Sequence, residues 1–156
     1  MNKLIDKIHL ILRKNNLTLS VAESCTGGLL SSLLTQNSGS SAFFLLGVVT
    51  YSNKAKEQLL SIPHRIIAKK GAVSEETALL MAKQIRKISQ SDLSLSITGI
   101  AGPLGGTLKK PVGTVFIATA SSKRVICQKF LFRGNRNQIR MQAAKESLKL
   151  LKATIA

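Results

Sequence analysis

The chain has 156 residues, 44% hydrophobic and 19% charged, which suits one folded domain (1–156) with a sizeable core and excludes a disordered tract. Its formal charge of +16 points to anionic ligands, while two cysteines and two distant histidines supply neither a disulfide framework nor a metal-ligand cluster. No apolar run approaches the roughly 20 residues of a membrane helix, and Met1 to Lys14 lacks a signal peptide's apolar stretch, so a cytoplasmic protein without metal or cofactor is expected.

Residues 2–15 carry Leu4, Ile5, Ile8, Ile11 and Leu12 at helical spacing, with His9 at the boundary of the stripe. Leu17 to Ala22 reads as a strand. It runs into Glu23-Ser24-Cys25-Thr26-Gly27-Gly28, a small-residue turn that opens a helix over 28–35. Here a hydroxyl, a thiol, a second hydroxyl and two glycines share one tip. Bare glycines admit a ligand to the backbone, and the first N–H groups of a helix favour an anion. The plain alternative is a helix start capped by Ser24 or Thr26.

Leu45 to Tyr51 is nearly all apolar and reads as a strand buried on both faces. Asn53 then caps a helix that reaches about Ser61 and carries Lys56 in its first turns. Ser74 caps the next helix, with Glu75 and Glu76 in its first turn and a stripe of Ala78, Met81, Ile85 and Ile88. Leu93 to Thr98 is a third strand and leads into the glycine-rich loop Gly99–Thr107. Gly113–Ala120 and Val125–Phe132 form a hairpin. The last helix starts near Asn135, with Met141, Ala144, Leu148, Leu151 and Ile155 as its stripe. Arg136 and Arg140, four apart, share a face near its start.

The order α-β-α-β-α-α-β-β-β-α predicts a layered α/β domain, a mixed sheet covered by helices. Ligands of such sheets sit beyond the carboxyl ends of strands, where three turns fall: 23–28, 51–56 and 99–107. No G-x-S-x-G elbow, phosphate loop or G-x-G-x-x-G fingerprint is present, and Tyr51 and Lys56 stand five apart rather than the four of a dehydrogenase pair. A serine nucleophile needs a base. His9 and His64 are badly placed for the role. A lysine serves when burial or nearby positive charge lowers its pKa, and Tyr51 could relay a proton between Lys56 and Ser24. Taken singly, Lys56 also reads as a solvated helix lysine and Tyr51 as a boundary residue.

At these residues the chain resembles a known family. Ala22-Glu23-Ser24-Cys25-Thr26-Gly27-Gly28, Ser38-Gly39-Ser40-Ser41 and Val49-Thr50-Tyr51-Ser52-Asn53 with Ala55-Lys56 are similar to blocks of the CinA C-terminal domain, the nicotinamide-nucleotide amidase family. So are Gly71-Ala72-Val73-Ser74-Glu75, Thr98-Gly99-Ile100-Ala101-Gly102-Pro103, Gly105-Gly106 and Lys110-Pro111-Val112-Gly113-Thr114-Val115. The blocks follow in order over almost the whole chain, and the form expected is the stand-alone one.

The resemblance implies a three-layer α/β/α fold with a mixed five-stranded sheet. It implies hydrolysis of the carboxamide of nicotinamide mononucleotide by a Ser-Tyr-Lys set that falls on Ser24, Tyr51 and Lys56. For the substrate we expect Thr26, Gly27 and Gly28 to offer backbone N–H groups to the oxyanion. Thr98, Gly102, Gly105 and Gly106 are expected to shape the nucleotide pocket, and Arg136 and Arg140 to take the 5′-phosphate.

The chain departs from the family at Lys54, Leu104, Lys109 and Asn135, where acids are common. These changes leave the catalytic set intact and remove negative charge around the pocket loops. The expected partner is a pyridine nucleotide, and a homo-oligomer, a dimer, is expected. Nucleic acid is the less favoured partner: basic residues are spread over several elements, no basic tail stands out, and aromatics for base stacking make up 4% of the chain. A basic nucleic-acid-binding or catalytically degenerate domain is the alternative reading, and a cysteine enzyme using Cys25 a third.

Overall fold

A computed structural model describes residues 1–155. Its sheet runs in the order β2-β1-β3-β4-β5. The strands are β1 (Leu19–Glu23), β2 (Phe44–Val49), β3 (Leu93–Gly99), β4 (Thr114–Ala120) and β5 (Val125–Leu131). β1 lies parallel to both β2 and β3, whereas β4 is antiparallel to β3 and β5 to β4. The carboxyl ends of β1, β2 and β3 therefore open on one side.

Helices α1 (Asn2–Lys14), α2 (Leu29–Thr35) and α6 (Arg136–Ile155) cover one face. They bury Ile5, Ile8, Leu12, Leu30 and Leu148 against Leu19, Val21, Leu95 and Ile117. Helices α3 (Asn53–Leu60), α4 (His64–Lys70) and α5 (Glu75–Ser89) cover the other, around Ala22, Leu60, Ile67, Met81 and Ile85. This is the expected α/β architecture. The polar residues of β3 do not face solvent. Ser94 and Ser96 are buried and donate to the carbonyls of Ala82 and Ala78 on α5, so a strand with alternating serines is a central one.

Several expectations are corrected. β2 is an edge strand whose residues alternate between half-buried and exposed: Leu46 and Val48 pack on the α3–α5 side, while Leu45 and Val49 on the other face are about half exposed rather than buried. His9 is buried rather than at a boundary, its Nε2 2.9 Å from the Leu34 carbonyl and its ring edge-on to Phe43. Ser52, not Asn53, caps α3 through its bond from the Ala55 N–H, while Ser74 caps α5 as expected. Helix α4 was not anticipated: Pro63 starts it, Gly71 ends it, and its basic sequence has little apolar period. Ile88 and Met141 drop out of their stripes to the surface. No helix among the described residues is long and apolar enough to cross a membrane.

Candidate active site

The turn after β1 is built by Glu23. Gly27 and Gly28 both take positive φ, +59° and +94°, and swing the chain from strand into α2. Neither Ser24 nor Thr26 caps the helix; its N-cap residue is Gly28, with no side-chain cap of its own. The fully buried Glu23 carboxylate does this instead. Its Oε2 accepts from the N–H groups of Gly28 (3.1 Å) and Leu30 (3.0 Å), and its Oε1 from the Ser31 N–H (2.8 Å) and Ser31 Oγ (2.6 Å). The start of α2 is thus neutralised from within, which corrects the expected anion site there.

The expected oxyanion donors change with it. The Gly27 N–H is spent on the Ser24 carbonyl and the Gly28 N–H on Glu23. The N–H groups of Cys25 and Thr26 have no acceptor among the described residues. The Thr26 hydroxyl is buried and unpartnered.

Ser24 and Lys56 come together. Ser24 is 7% exposed, and its N–H is tied to the Ile97 carbonyl on β3 (3.0 Å). Lys56, on the second turn of α3, reaches back under the end of β2. Its Nζ lies 3.0 Å from Ser24 Oγ and donates to the Thr50 carbonyl at 2.7 Å. The Thr50 N–H in turn bonds to the Glu23 carbonyl (2.8 Å). Lys56 is 1% exposed, and that burial lowers its pKa from 10.5 to about 8, with the Cys25 thiol the only neighbour pulling it back up. A fraction of neutral amine is therefore present near neutral pH, within hydrogen-bond reach of a serine hydroxyl. The adjacent Cys25 thiol goes the other way: burial raises it to about 11, so it stays protonated and is a poor nucleophile.

Ser24 and Lys56 line a cavity of about 260 Å³ beyond the carboxyl ends of β1, β2 and β3. Its other walls include Tyr51 and Asn53, Ala72 and Val73 ahead of α5, Thr98 to Gly102, Leu104, Gly105 and Arg136. Tyr51 is 58% exposed, and no hydrogen bond joins its hydroxyl to Ser24 or Lys56. It accepts instead from Arg136 Nη2 at 2.6 Å. The Ser–Lys contact is direct, and Tyr51 shares the cavity wall with it through its bond to Arg136. Arg136 Nη1 donates to the Gly102 carbonyl (2.7 Å), which fixes the guanidinium at the rim while leaving other N–H groups free.

Arg140 does not join Arg136. It donates to the Thr26 carbonyl at 2.7 Å and braces the back of the turn. Thr26, Gly27, Gly28 and Gly106 are likewise outside the cavity wall. The Thr98 hydroxyl is committed to the Ala72 carbonyl at 2.8 Å, so Thr98 joins two walls. Among the described residues, no three His, Cys, Asp or Glu side chains converge as a cation site would need.

A family model for the CinA C-terminal domain matches residues 1–155. The chain belongs to the CinA C-terminal domain family. The CinA-like protein of Syntrophus aciditrophicus is 50% identical over 147 residues, which is 94% of this chain and 35% of that protein. This CinA domain thus spans about a third of the length of the curated relatives it matches. Among solved structures, the competence/damage inducible protein CihA of Agrobacterium tumefaciens superposes with a TM-score of 0.95 at 38% identity, covering 97% of this chain and 93% of that one. The competence damage-inducible protein A of Klebsiella pneumoniae gives 0.95 at 30% identity, over 98% and 95%.

Two parts of this CinA domain's site escaped the sequence reading. Glu23 is an isolated acid at the end of an apolar strand, and that oddity was the available signal for a buried carboxylate. The Thr50 carbonyl, which orients Lys56, carries no side-chain signal at all.

Proposed function

We propose that this CinA domain is a serine–lysine amidohydrolase acting on the carboxamide of nicotinamide mononucleotide to give nicotinate mononucleotide and ammonia. The observation that carries the reading is the buried contact of Lys56 Nζ with Ser24 Oγ at the floor of a cavity rimmed by an anchored arginine. The substrate class comes from the family resemblance of the motifs.

Neutral Lys56 takes the Ser24 proton as Oγ attacks the carboxamide carbon. The carbonyl oxygen becomes an oxyanion beside the Cys25 N–H, the turn amide on the cavity wall with no backbone acceptor. As the tetrahedral intermediate collapses, the Lys56 ammonium gives its proton to the amide nitrogen, the C–N bond breaks and NH3 leaves. Lys56, neutral again, removes a proton from the water that hydrolyses the ester on Ser24 and then returns a proton to Ser24 Oγ. Arg136, the cation on the cavity rim, takes the 5′-phosphate through its free N–H groups. Arg140 is assigned no substrate role.

The test is ammonia release from nicotinamide mononucleotide by the purified protein. The rate should rise with pH through about 8, because Lys56 must be neutral, and Ser24→Ala should release none. A wild-type protein that releases no ammonia between about pH 7 and 9 would refute the reading.

A further inference from the structure

Glu23 touches both halves of the reactive pair's support. Its peptide precedes Ser24 directly. Its main-chain carbonyl accepts from the Thr50 N–H at 2.8 Å, and the Thr50 carbonyl is the group that holds Lys56 Nζ at 2.7 Å. Its carboxylate gathers four donors at the start of α2, at 2.6 to 3.1 Å. Both oxygens accept two bonds each, and the side chain is fully buried, so no water competes for them.

This carboxylate is also remote from the chemistry. It does not line the cavity, and its four bonds are all to α2 and the turn. A buried acid costs free energy unless it is paired or fully hydrogen-bonded. Here it is matched by the donors of a helix start, an arrangement that fixes where that start lies.

We propose that Glu23 is a positioning residue for Ser24: its carboxylate clamps α2 to the end of β1, and the clamp holds Ser24 Oγ and the Cys25 N–H in register with Lys56. The inference rests on Ser24 being the nucleophile and deepens that reading.

Gly47 supports the clamp from β2. A Cβ there would come within 2.6 Å of Ser31 Oγ, so the bare backbone leaves room for the Ser31 hydroxyl that bonds Glu23.

The test compares wild type, Glu23→Gln, Glu23→Asp and Ser24→Ala with a small fluorophosphonate, which forms a Ser24 Oγ–P bond as fluoride leaves. Mass spectrometry locates the label and gives its rate. Melting temperature gives the folded fraction, and nicotinamide mononucleotide turnover gives kcat and KM. Gln keeps the shape but, in either orientation, turns its NH2 toward at least one N–H donor: those of Gly28 and Leu30, or that of Ser31. Labelling of folded Glu23→Gln should slow about 100-fold, the loss typical of a misplacement near 1 Å, and kcat should fall while KM stays within about threefold. Asp keeps the charge and shortens the reach, and should recover part of the loss. A purely structural role would lower the melting temperature without slowing the folded protein. Folded Glu23→Gln labelled within twofold of wild type overturns the proposal. Should Gln fail to fold, Glu23→Asp at the wild-type rate does so. Wild type labelled at Ser24 yet inert toward the nucleotide defeats the substrate reading alone and leaves this one standing. Wild type that takes no label defeats both.

Discussion

Replacing Lys56 by Met separates what the lysine does for chemistry from what it does to stability. Met has a similar length and no charge. Lys56 is almost fully buried, and its pKa falls from 10.5 to about 8 on folding. At about 1.4 kcal/mol per tenfold change in proton binding, that fall makes the buried ammonium cost roughly 3 kcal/mol. The sign follows from linkage. Between about pH 8 and 10.5 the unfolded chain holds the proton that the folded chain has lost, so wild-type stability gains as pH rises through this window. Below about pH 8 the full cost is present, and above about 10.5 it is gone.

The variant never bears this cost. It leaves the Thr50 carbonyl and the Ser24 hydroxyl without their donor, a loss of about 1–3 kcal/mol that does not depend on pH. Urea unfolding of both proteins at matched pH values from about 7 to 10.5 isolates the difference, because other titrating groups cancel. The gap should shift by roughly 3 kcal/mol in favour of wild type across the series, while the variant releases no ammonia at any pH. A gap constant to within about 0.5 kcal/mol would refute a lowered Lys56 pKa, and the proposed base with it.

Ser24→Ala should cut ammonia release by at least about 10³-fold while changing stability by less than about 1 kcal/mol, read by the same unfolding assay. Arg136→Ala should raise KM for nicotinamide mononucleotide roughly 10- to 100-fold, the scale of one charge-assisted contact, with a smaller change in kcat; an unchanged KM would remove Arg136 from the phosphate site. Gly47→Ala should destabilise the protein by about 1–3 kcal/mol, since its Cβ would sit 2.6 Å from Ser31 Oγ and 3.0 Å from Phe44 Cζ; an unfolding midpoint equal to wild type would contradict that packing. Cys25→Ala should retain turnover within about tenfold, because the buried thiol stays protonated; complete loss with a folded protein would favour the cysteine as nucleophile.

Much of this fold is written in local pattern. Leu17 to Ala22 running into paired glycines announces a strand and a sharp turn, and the apolar stripes of α1 and α5 mark their buried faces. What local pattern cannot carry is sheet order. Phe44 to Val49 looks like a central strand because it is apolar, yet its place at the edge depends on β3 pairing with the other side of β1. The arginines show a related limit. Four residues apart on one helix face, Arg136 and Arg140 differ by about 6 Å along the axis, enough to put one in the cavity and the other behind the Thr26 turn. Lys56 was legible as a partner for Ser24 only through strand-end logic and the family motifs. Glu23 was not, because its donors lie on the helix that follows.

The bond from the Ser24 N–H to Ile97, and the pairing of Leu19 with Leu93 beside it, have a kinetic consequence. The Ser24 turn is fixed only when chain segments more than seventy residues apart have met, among the slowest contacts for a domain to form. Until then Ser24 is an ordinary hydroxyl and Lys56 an ordinary solvated ammonium. The direct contact of Ser24 with Lys56 therefore depends on that long-range pairing and is absent from a chain that lacks β3.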